Sequence, residues 1–336
     1  MAGRPGGQGA GPGVLARVLA AGEFAVTAEV GPPRGASTEP VTRKTAALRD
    51  WVHAVNITDN AGATARMASW AGCLAALDAG VEPIMQLTCR DRNRIALQSE
   101  LLAASALGIP NVLLMTGDHP RQGDHPQAKP VFDLDGTQLL RVARAMRDDG
   151  ELMSGRKLMP APSWLLGGVA DPAAGVSRLQ PKVEAGAQFV QTQYVFDVPA
   201  FTRWLDAAGE LGLLERCRVL AGVGPVLTQR ALHHLADLPG VHIPPAYADR
   251  LLAAGDGSAD RFRAAAEALC AETIAALRQV PGVAGVHVLA PGGEAVIPAI
   301  LDQAGLRPTS TAPQQAEQQK PEQQQQAGQQ EAGHAD

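Results

Sequence analysis

Short apolar runs recur along the chain, each bounded by turn residues and followed by a segment with helical periodicity. Such runs are typical of buried parallel strands that are joined by crossover helices. The pattern predicts strands at residues 23–30, 52–58, 83–88, 111–116, 164–169, 187–192, 218–223 and 285–290. It predicts helices at residues 38–50, 66–80, 91–108, 136–149, 172–186, 198–213, 228–238, 259–280 and 294–305.

This alternation favours an α/β fold, a (β/α)8 TIM barrel in a single domain, over an open doubly wound sheet. The length of 336 residues would allow two domains, but barrels of about 250 residues form one. We therefore expect a catalytic barrel over residues 14–307. The glycine-rich residues 1–13 and the Gln-rich residues 308–336 lack apolar periodicity, and we expect both to be disordered.

Composition excludes several classes of function. A hydrophobic content of 46% supplies a large core, while a net charge of −5 without a basic cluster argues against a general nucleic-acid binder. No apolar run approaches the roughly 20 residues that span a membrane. The N-terminal residues lack the charged-then-apolar order of a signal peptide. We therefore expect a cytoplasmic protein that binds neither nucleic acid nor membrane.

The sequence carries no local metal or nucleotide signature. Cys73, Cys89, Cys217 and Cys270 lie far apart without zinc-ligand spacing, so we expect buried thiols and no metal. No GxGxxG follows a predicted strand, and no GxxxxGK[ST] occurs. The fingerprints of dinucleotide-binding and phosphate-binding loops are therefore absent.

Polar residues stand at the ends of successive predicted strands. Glu29, Thr58, Thr88, Asp118 and Gln193 each follow an apolar run or end it. In a barrel of parallel strands, the carboxyl ends of all strands face one mouth, where polar residues are typical of a site. The pattern therefore predicts one assembled site.

The chain contains, in this order, the motifs TAEVGPPRG, LTCRDRN, ALGIPNVLLMTGDHP, KVEAGAQFVQTQYVFD, AGVGPV and HIPPAYADRL. Together they resemble the methylenetetrahydrofolate reductase family, in a divergent bacterial-type branch, over about residues 23–305. Each motif alone is weak, but the combination is specific. The resemblance implies a (β/α)8 barrel that binds FAD at its mouth. It also implies reduction of 5,10-methylenetetrahydrofolate to 5-methyltetrahydrofolate with NAD(P)H, in one-carbon and methionine metabolism.

The resemblance assigns two catalytic residues. Glu29 matches the glutamate of an E-x-x-P-P motif and is expected to bind the folate and protonate it at N10. Asp118 matches the aspartate of a G-D pair, whose charge can stabilise a cationic folate intermediate. Gln193 matches a T-Q-x-x-F-D motif and is expected to bind the substrate through its amide.

The resemblance also implies a set of cofactor contacts. The expected FAD-binding residues are Thr58, Gln86, Thr116, Gly117, Asp118, Gly168, Asp171 and Lys182. Two of them depart from the family pattern, since Gln86 replaces a histidine and Thr116 replaces an arginine. The chain could act alone, as a homo-oligomer or with a partner subunit.

Other functions stay open at this point. One is a folate-binding accessory or redox-incompetent subunit of a methyl-transfer system, and another is the reverse, oxidative reaction in demethylation. An unrelated Schiff-base barrel enzyme would need a lysine inside the barrel. No lysine lies within a predicted strand, which argues against that class.

Overall fold

The predicted barrel is confirmed. A computed structural model describes residues 12–238, 240–255 and 257–306. Its strands are β1 (Ala25–Val30), β2 (Ala54–Ile57), β3 (Pro83–Thr88), β4 (Asn111–Met115), β5 (Leu165–Ala170), β6 (Phe189–Tyr194), β7 (Arg218–Val223) and β8 (Val283–Val288). They follow one another in parallel around a closed barrel, and β8 pairs with β1. All eight carboxyl ends therefore meet at one mouth.

Helices cover the outside of the barrel. They are α1 (Val14–Ala20), α2 (Glu39–Leu48), α3 (Ser69–Asp78), α4 (Arg94–Ala106), α5 (Gly136–Asp148), α6 (Gln180–Glu184), α7 (Val198–Glu210), α8 (Gln229–Ala236), α9 (Pro245–Gly255), α10 (Ala259–Leu277) and α11 (Ile297–Gln303). Single helices join most strands, but α8, α9 and α10 all lie between β7 and β8. They pack a separate apolar cluster against Phe196 after β6.

Several predicted helix bounds were wrong. Helix α4 begins at Arg94 and not at residue 91, because the Asn93 side chain accepts from the amides of Ile95 and Ala96. The predicted helix 172–186 is reduced to α6 and two preceding 3₁₀ turns, since Gly175 has a φ of 82° that interrupts the helix. Helices α1 and α9 were not predicted.

Helix α1 closes the bottom of the barrel. Leu15 and Leu19 pack into an apolar cluster with residues from the amino-terminal half of the strands, Phe189 among them. The Glu82 carboxylate accepts hydrogen bonds from the amide of Val14, from the amide of Leu15 at 3.0 Å and from the Asn111 side-chain amide at 2.8 Å. A carboxylate at a helix N-terminus satisfies amides that otherwise lack partners. Glu82 therefore anchors the N-terminus of α1 at the bottom of the barrel.

Polarity inside the barrel rises toward the mouth. Above the apolar layer, Thr27, Asn56, Gln191 and His287 are all buried. The Gln191 amide donates to Asn56 at 3.0 Å and to Thr27 at 3.2 Å, and the Thr27 hydroxyl lies 3.0 Å from Nδ1 of His287. The hydrogen bonds offset the cost of burying these groups. This polar layer lies directly below the residues of the mouth.

Two further observations bear on the sequence expectations. Among the described residues, no helix combines the length and apolar character needed to cross a membrane. All four cysteines are free and buried. Of the termini expected to be disordered, residues 1–11 and 308–336 lie outside the described residues.

Candidate active site at the barrel mouth

Glu29 is the acidic residue at the end of β1, at the barrel mouth. It lies at the end of β1, one inward-facing position above Thr27, and is half-buried. Burial raises its pKa to about 7, against a weaker lowering by the Gln86 amide, and Glu294 raises it further. Nε2 of Gln86 donates to Oε2 of Glu29 at 3.4 Å, a long hydrogen bond. A carboxyl with this pKa can hold and release a proton near neutral pH.

Two further residues, Glu294 and Tyr194, lie at the mouth, and sequence reasoning missed Glu294. Glu294 opens the 3₁₀ turn after β8 and is only 6% exposed. Tyr194 ends β6, and its hydroxyl donates to the Leu289 carbonyl at 3.3 Å. Burial raises the Tyr194 pKa above its usual range, and the charge of Glu29 adds to this rise. Tyr194 lies within the KVEAGAQFVQTQYVFD motif, whereas Glu294 lies in the 3₁₀ turn beyond the end of β8 and outside the motifs quoted above.

A β-bulge shapes the site at β6. The pairing of β6 with β7 shifts register between Gln191 and Tyr194. Such a bulge re-aims the side chains that follow it. Gln193 lies inside this bulge, half-buried, and its Oε1 accepts from the Tyr194 amide at 3.1 Å. The amide nitrogen of Gln193 carries the donors that the expected substrate contact requires.

Thr116, Gly117 and Asp118 follow β4 at the same mouth. Gly117 has a φ of 89°, and a Cβ there would lie 2.9 Å from Cβ of Thr88, so glycine is required twice over. The Thr116 hydroxyl accepts from the Gly136 amide at 3.0 Å. The Asp118 side chain is exposed, and its backbone carbonyl lies 3.4 Å from Nη1 of Arg90. The turn therefore presents the Asp118 carboxylate toward solvent at the mouth.

A buried ion pair supports the β2 and β3 side. Asp59 accepts from the Thr88 amide and hydroxyl, both at 2.9 Å, and from Arg92 at 2.8 and 3.1 Å. With four hydrogen bonds, Asp59 fixes the ends of β2 and β3 relative to each other. The neighbouring Thr58 hydroxyl is buried and has no partner among the described residues.

Three of the expected cofactor contacts lie in β5 or after it. Lys182 donates to the Val169 carbonyl, and burial lowers its pKa, an effect that the Asp171 charge opposes. Asp171 accepts from the Ala173 amide at 2.9 Å. Gly168 differs, since a Cβ there would meet Leu140 on the helix side, 3.4 Å away. A side chain at this position would therefore point away from the barrel interior, and only the backbone of Gly168 could contact a ligand at the mouth.

An apolar cavity adjoins the mouth. It has a volume of about 110 Å³ and lies between the end of β6 and the segment that joins α8 to α9. Tyr194 and Phe196 stack with ring centroids 5.7 Å apart and line it together with Phe201, and Asp197 and His242 supply polar groups. Aromatic walls with a few polar groups are typical of sites for flat organic ligands.

The donor set fits the FAD that the family resemblance implies. Thr58 offers a buried hydroxyl without a partner. Lys182 and Arg178 supply positive charge after β5 for phosphates, and the amide of Gln86 can donate to a ring. Among the described residues, no cluster of three or more His, Cys, Asp or Glu side chains could hold a metal ion.

Comparisons with known proteins agree with these observations. The family model described as methylenetetrahydrofolate reductase matches residues 14–305. Methylenetetrahydrofolate reductase 1 of Schizosaccharomyces pombe is 25% identical over 242 residues, which cover 70% of this chain and 38% of that protein. The 5,10-methylenetetrahydrofolate reductase of Pectobacterium carotovorum is 25% identical over 166 residues, covering 49% of this chain and 51% of that protein. The chain thus spans about half or less of the length of these two relatives.

A solved structure shares the fold. It is described as an uncharacterized protein from Clostridium thermocellum that binds two copies of 5-methyl-5,6,7,8-tetrahydrofolic acid. It superposes with a TM-score of 0.60 over 86% of this chain and 97% of that chain, at 13% sequence identity.

Proposed function

Because the chain belongs to the methylenetetrahydrofolate reductase family, we propose that it reduces 5,10-methylenetetrahydrofolate to 5-methyltetrahydrofolate, with NAD(P)H as the electron source and FAD as the cofactor. The observation that carries the proposal is Glu29, a carboxyl with its pKa raised to about 7 at the barrel mouth. The names of the relatives support the reaction, and the folate bound by the Clostridium thermocellum protein supports the substrate class.

Glu29 gives its proton to N10 of the folate. The bond between the methylene carbon and N10 breaks, its electron pair stays on N10, and the proton from Glu29 neutralises it. The methylene carbon is left as an iminium carbon on N5, which accepts hydride and becomes the methyl group. An acid with a pKa near the working pH is suited to this step, because it is protonated at the start and releases its proton readily.

FAD, when bound, supplies the hydride that the folate carbon accepts. Thr58, Gln86, Thr116 and Lys182 are the side chains that would hold it, with Gly117 and Gly168 offering backbone groups and Asp171 a carboxylate for a ribose hydroxyl. The exposed Asp118 carboxylate is suited to stabilise the cationic iminium.

The β6 end orients the folate. Gln193 offers a donor and an acceptor amide to the pterin edge, and the adjoining cavity with Phe196 and Phe201 takes a flat ring against its aromatic wall. Tyr194 lies next to Gln193 and lines the cavity, and its hydroxyl donates to the Leu289 carbonyl.

A second candidate function has one specific observation in its favour. The Thr116 hydroxyl and the Lys182 ammonium group already bond to the Gly136 amide and the Val169 carbonyl. A chain in which two of the expected cofactor groups are satisfied internally suits a folate-binding subunit without flavin chemistry, in a methyl-transfer system. The oxidative direction would use the same residues as the reductive one.

The test is the visible absorption spectrum of the purified protein with added FAD, then anaerobic NADH or NADPH, then 5,10-methylenetetrahydrofolate. The proposal predicts a flavin spectrum that bleaches with the nicotinamide and recovers with the folate, together with formation of 5-methyltetrahydrofolate. Folate binding without any flavin spectrum would favour the accessory subunit. Folate binding with a spectrum that never recovers would contradict the proposed reaction.

A further inference from the structure

The LTCRDRN motif contains a buried arginine that has no part in the steps above. Arg90 lies two residues beyond the end of β3 and is 2% exposed. Its Nε and Nη2 donate to the two carboxylate oxygens of Asp91 at 2.8 and 2.7 Å, and the Asp91 side chain is 36% exposed. This two-point contact holds the guanidinium plane and balances its charge.

The other hydrogen bonds of Arg90 reach the main chain of two further loops. Nη2 donates to the Asn60 carbonyl at 3.2 Å, and Nη1 donates to the Asp118 carbonyl at 3.4 Å, a long hydrogen bond. Asn60 follows β2, and Asp118 follows β4 and is the carboxylate proposed to stabilise the iminium. One buried side chain thus joins the segments that follow β2, β3 and β4.

The placement of Asp118 depends on this contact. Within the described part of the chain, the hydrogen bond from Arg90 is the only one that Asp118 makes. The preceding Gly117 has a φ of 89°, and the Asp118 carboxylate itself is exposed. A charge that stabilises a developing cation is most effective when it is held in place beforehand. Arg90 is the group that fixes the backbone from which this carboxylate extends.

The two loops that Arg90 joins also pack against each other. The Ala65 amide donates to Oδ1 of Asp124 at 3.1 Å. Gly123 lies so close to Ala63 that a Cβ at Gly123 would be 1.8 Å from the Ala63 carbonyl oxygen. Residues 58–66 and 117–124 therefore form one packed unit at the mouth, which we call the loop pair. Arg90 donates to one carbonyl in each half of it.

The main chain around Arg90 is well fixed. Its carbonyl accepts from the Val131 amide at 2.8 Å, and the Cys89 amide donates to the carbonyls of Met115 and Thr116, both at 3.2 Å. Burying a guanidinium group is costly, and the carboxylate of Asp91 already balances its charge. What the planar fork adds is the pair of contacts to the loop pair, which a point charge or an apolar side chain would not make.

We propose that Arg90 is a positioning residue that holds the loop pair so that the Asp118 carboxylate faces the cationic folate intermediate. The proposal rests on the proposed function, because Asp118 is the residue assigned to that intermediate. Arg90 acts through the backbone of Asp118 and not through its own charge, which Asp91 balances.

The experiment is a double-mutant cycle between Arg90 and Asp118 in the full chain with bound flavin. Its readout is the anaerobic reoxidation of the reduced flavin by 5,10-methylenetetrahydrofolate. Asp118→Asn should slow reoxidation by about tenfold or more, because the amide carries no charge. Arg90→Met should also slow it by about tenfold, because the carboxylate loses its placement. In the Asp118→Asn background, the same change at Arg90 should slow it by less than about twofold.

Two further variants separate placement from charge and from general loop stability. Arg90→Lys keeps the positive charge but loses the planar fork, so it should slow reoxidation about as much as Arg90→Met. Arg94→Met is the matched control, since Arg94 makes a two-point contact with Asp133 but is 50% exposed and does not contact Asp118. This control should reoxidise near the wild-type rate.

Amide hydrogen exchange gives a readout that does not depend on turnover. In Arg90→Met, peptides that cover residues 58–66 and 117–124 should exchange faster than in the wild-type protein. The hydrogen-bonded amides of Ala65, Gln122 and Gly123 report on the loop pair. Exchange in α10, which lies elsewhere on the barrel, should not change.

An equal effect of Arg90→Met in both backgrounds would overturn the proposal, because Arg90 would then act independently of Asp118. Full rescue by Arg90→Lys, or unchanged exchange in the loop pair, would overturn it as well. A wild-type protein that the folate does not reoxidise would instead refute the proposed function, a result distinct from an additive cycle.

Circular dichroism would check the fold of each variant. If the Arg90 variants fail to fold, Asp91→Ala takes their place in the same cycle. It releases the guanidinium plane by removing a side chain that is 36% exposed, so the burden on the fold is smaller. The same dependence on Asp118 is expected, and an effect that persists in the Asp118→Asn background would again contradict the proposal.

Discussion

The Gln86 amide donates to the Glu29 carboxylate across 3.4 Å, from β3 to β1 and past β2. This bond favours the ionised form of Glu29 and opposes the effect of burial. Gln86 is thus both a proposed cofactor contact and a direct neighbour of the proposed acid. A histidine, which the family pattern has at this position, would offer one ring donor in place of the amide.

Gln86→Leu should raise the pKa of Glu29 above about 7, because burial then acts without the opposing hydrogen bond. Since Glu29 acts in its protonated form, the decline of folate turnover at alkaline pH should move to higher pH. The pH profile of turnover measures this. Gln303→Leu, which alters an exposed amide on α11, is the control. A decline that moves to lower pH would contradict the role of the hydrogen bond.

Lys182→Met should weaken FAD binding by on the order of tenfold or more, because a charge-assisted hydrogen bond to a phosphate is lost. Fluorescence titration with FAD gives the dissociation constants. Lys157→Met is the matched control, since Lys157 is 68% exposed and pairs with Glu151 at the surface. Equal affinities of the two variants would remove Lys182 from the cofactor site.

Glu82→Ala should destabilise the fold by about 2–3 kcal/mol, because the first amides of α1 lose their acceptor in a partly buried place and the Asn111 amide keeps only the Pro83 carbonyl. Urea unfolding at pH 7 measures the change. Glu151→Ala, which removes an exposed partner of Lys157, should cost less than about 1 kcal/mol. Equal losses of stability in the two variants would show that Glu82 does not anchor α1.

His287 predicts a loss of stability on mild acidification. Its pKa falls from 6.5 in the unfolded chain to about 3 in the fold, so below pH 6.5 the unfolded state binds a proton that the fold excludes. The free energy of unfolding should therefore decrease as pH falls, by up to about 1.4 kcal/mol per pH unit from this group.

His287→Gln, which cannot titrate, should be less stable at pH 7 but lose less stability between pH 6.5 and about 5, above most carboxyl pKa values. Chemical unfolding at several pH values compares the two proteins. Parallel curves would show that His287 is not held neutral.

The barrel could be predicted from sequence because each strand is a short apolar run with a turn at its end. Strands β3 and β7 have the predicted bounds, and the others differ by at most two residues at either end. Helix α1 was missed because it has only seven residues and follows a glycine-rich stretch. Its packing depends on Glu82, which lies 67 residues away from Leu15 along the chain.

The site was predictable only in part. Motifs placed Glu29, Asp118 and Gln193 at strand ends, and the structure puts all three at one mouth. The pairing of Lys44 with Glu294 joins residues 250 positions apart, so no local pattern could reveal it. The direction in which a Cβ at Gly168 would point depends on strand register, and motif matching does not reveal it.

The most direct test of the central claim compares the two half-reactions of Glu29→Gln under anaerobic stopped-flow conditions, with Glu23→Gln as an exposed control just before β1. If Glu29 is the folate acid, reduction of the flavin by the nicotinamide should stay near the wild-type rate. Reoxidation by 5,10-methylenetetrahydrofolate should fall by on the order of 100-fold or more. Equal losses in both half-reactions, or a normal reoxidation rate, would contradict the account.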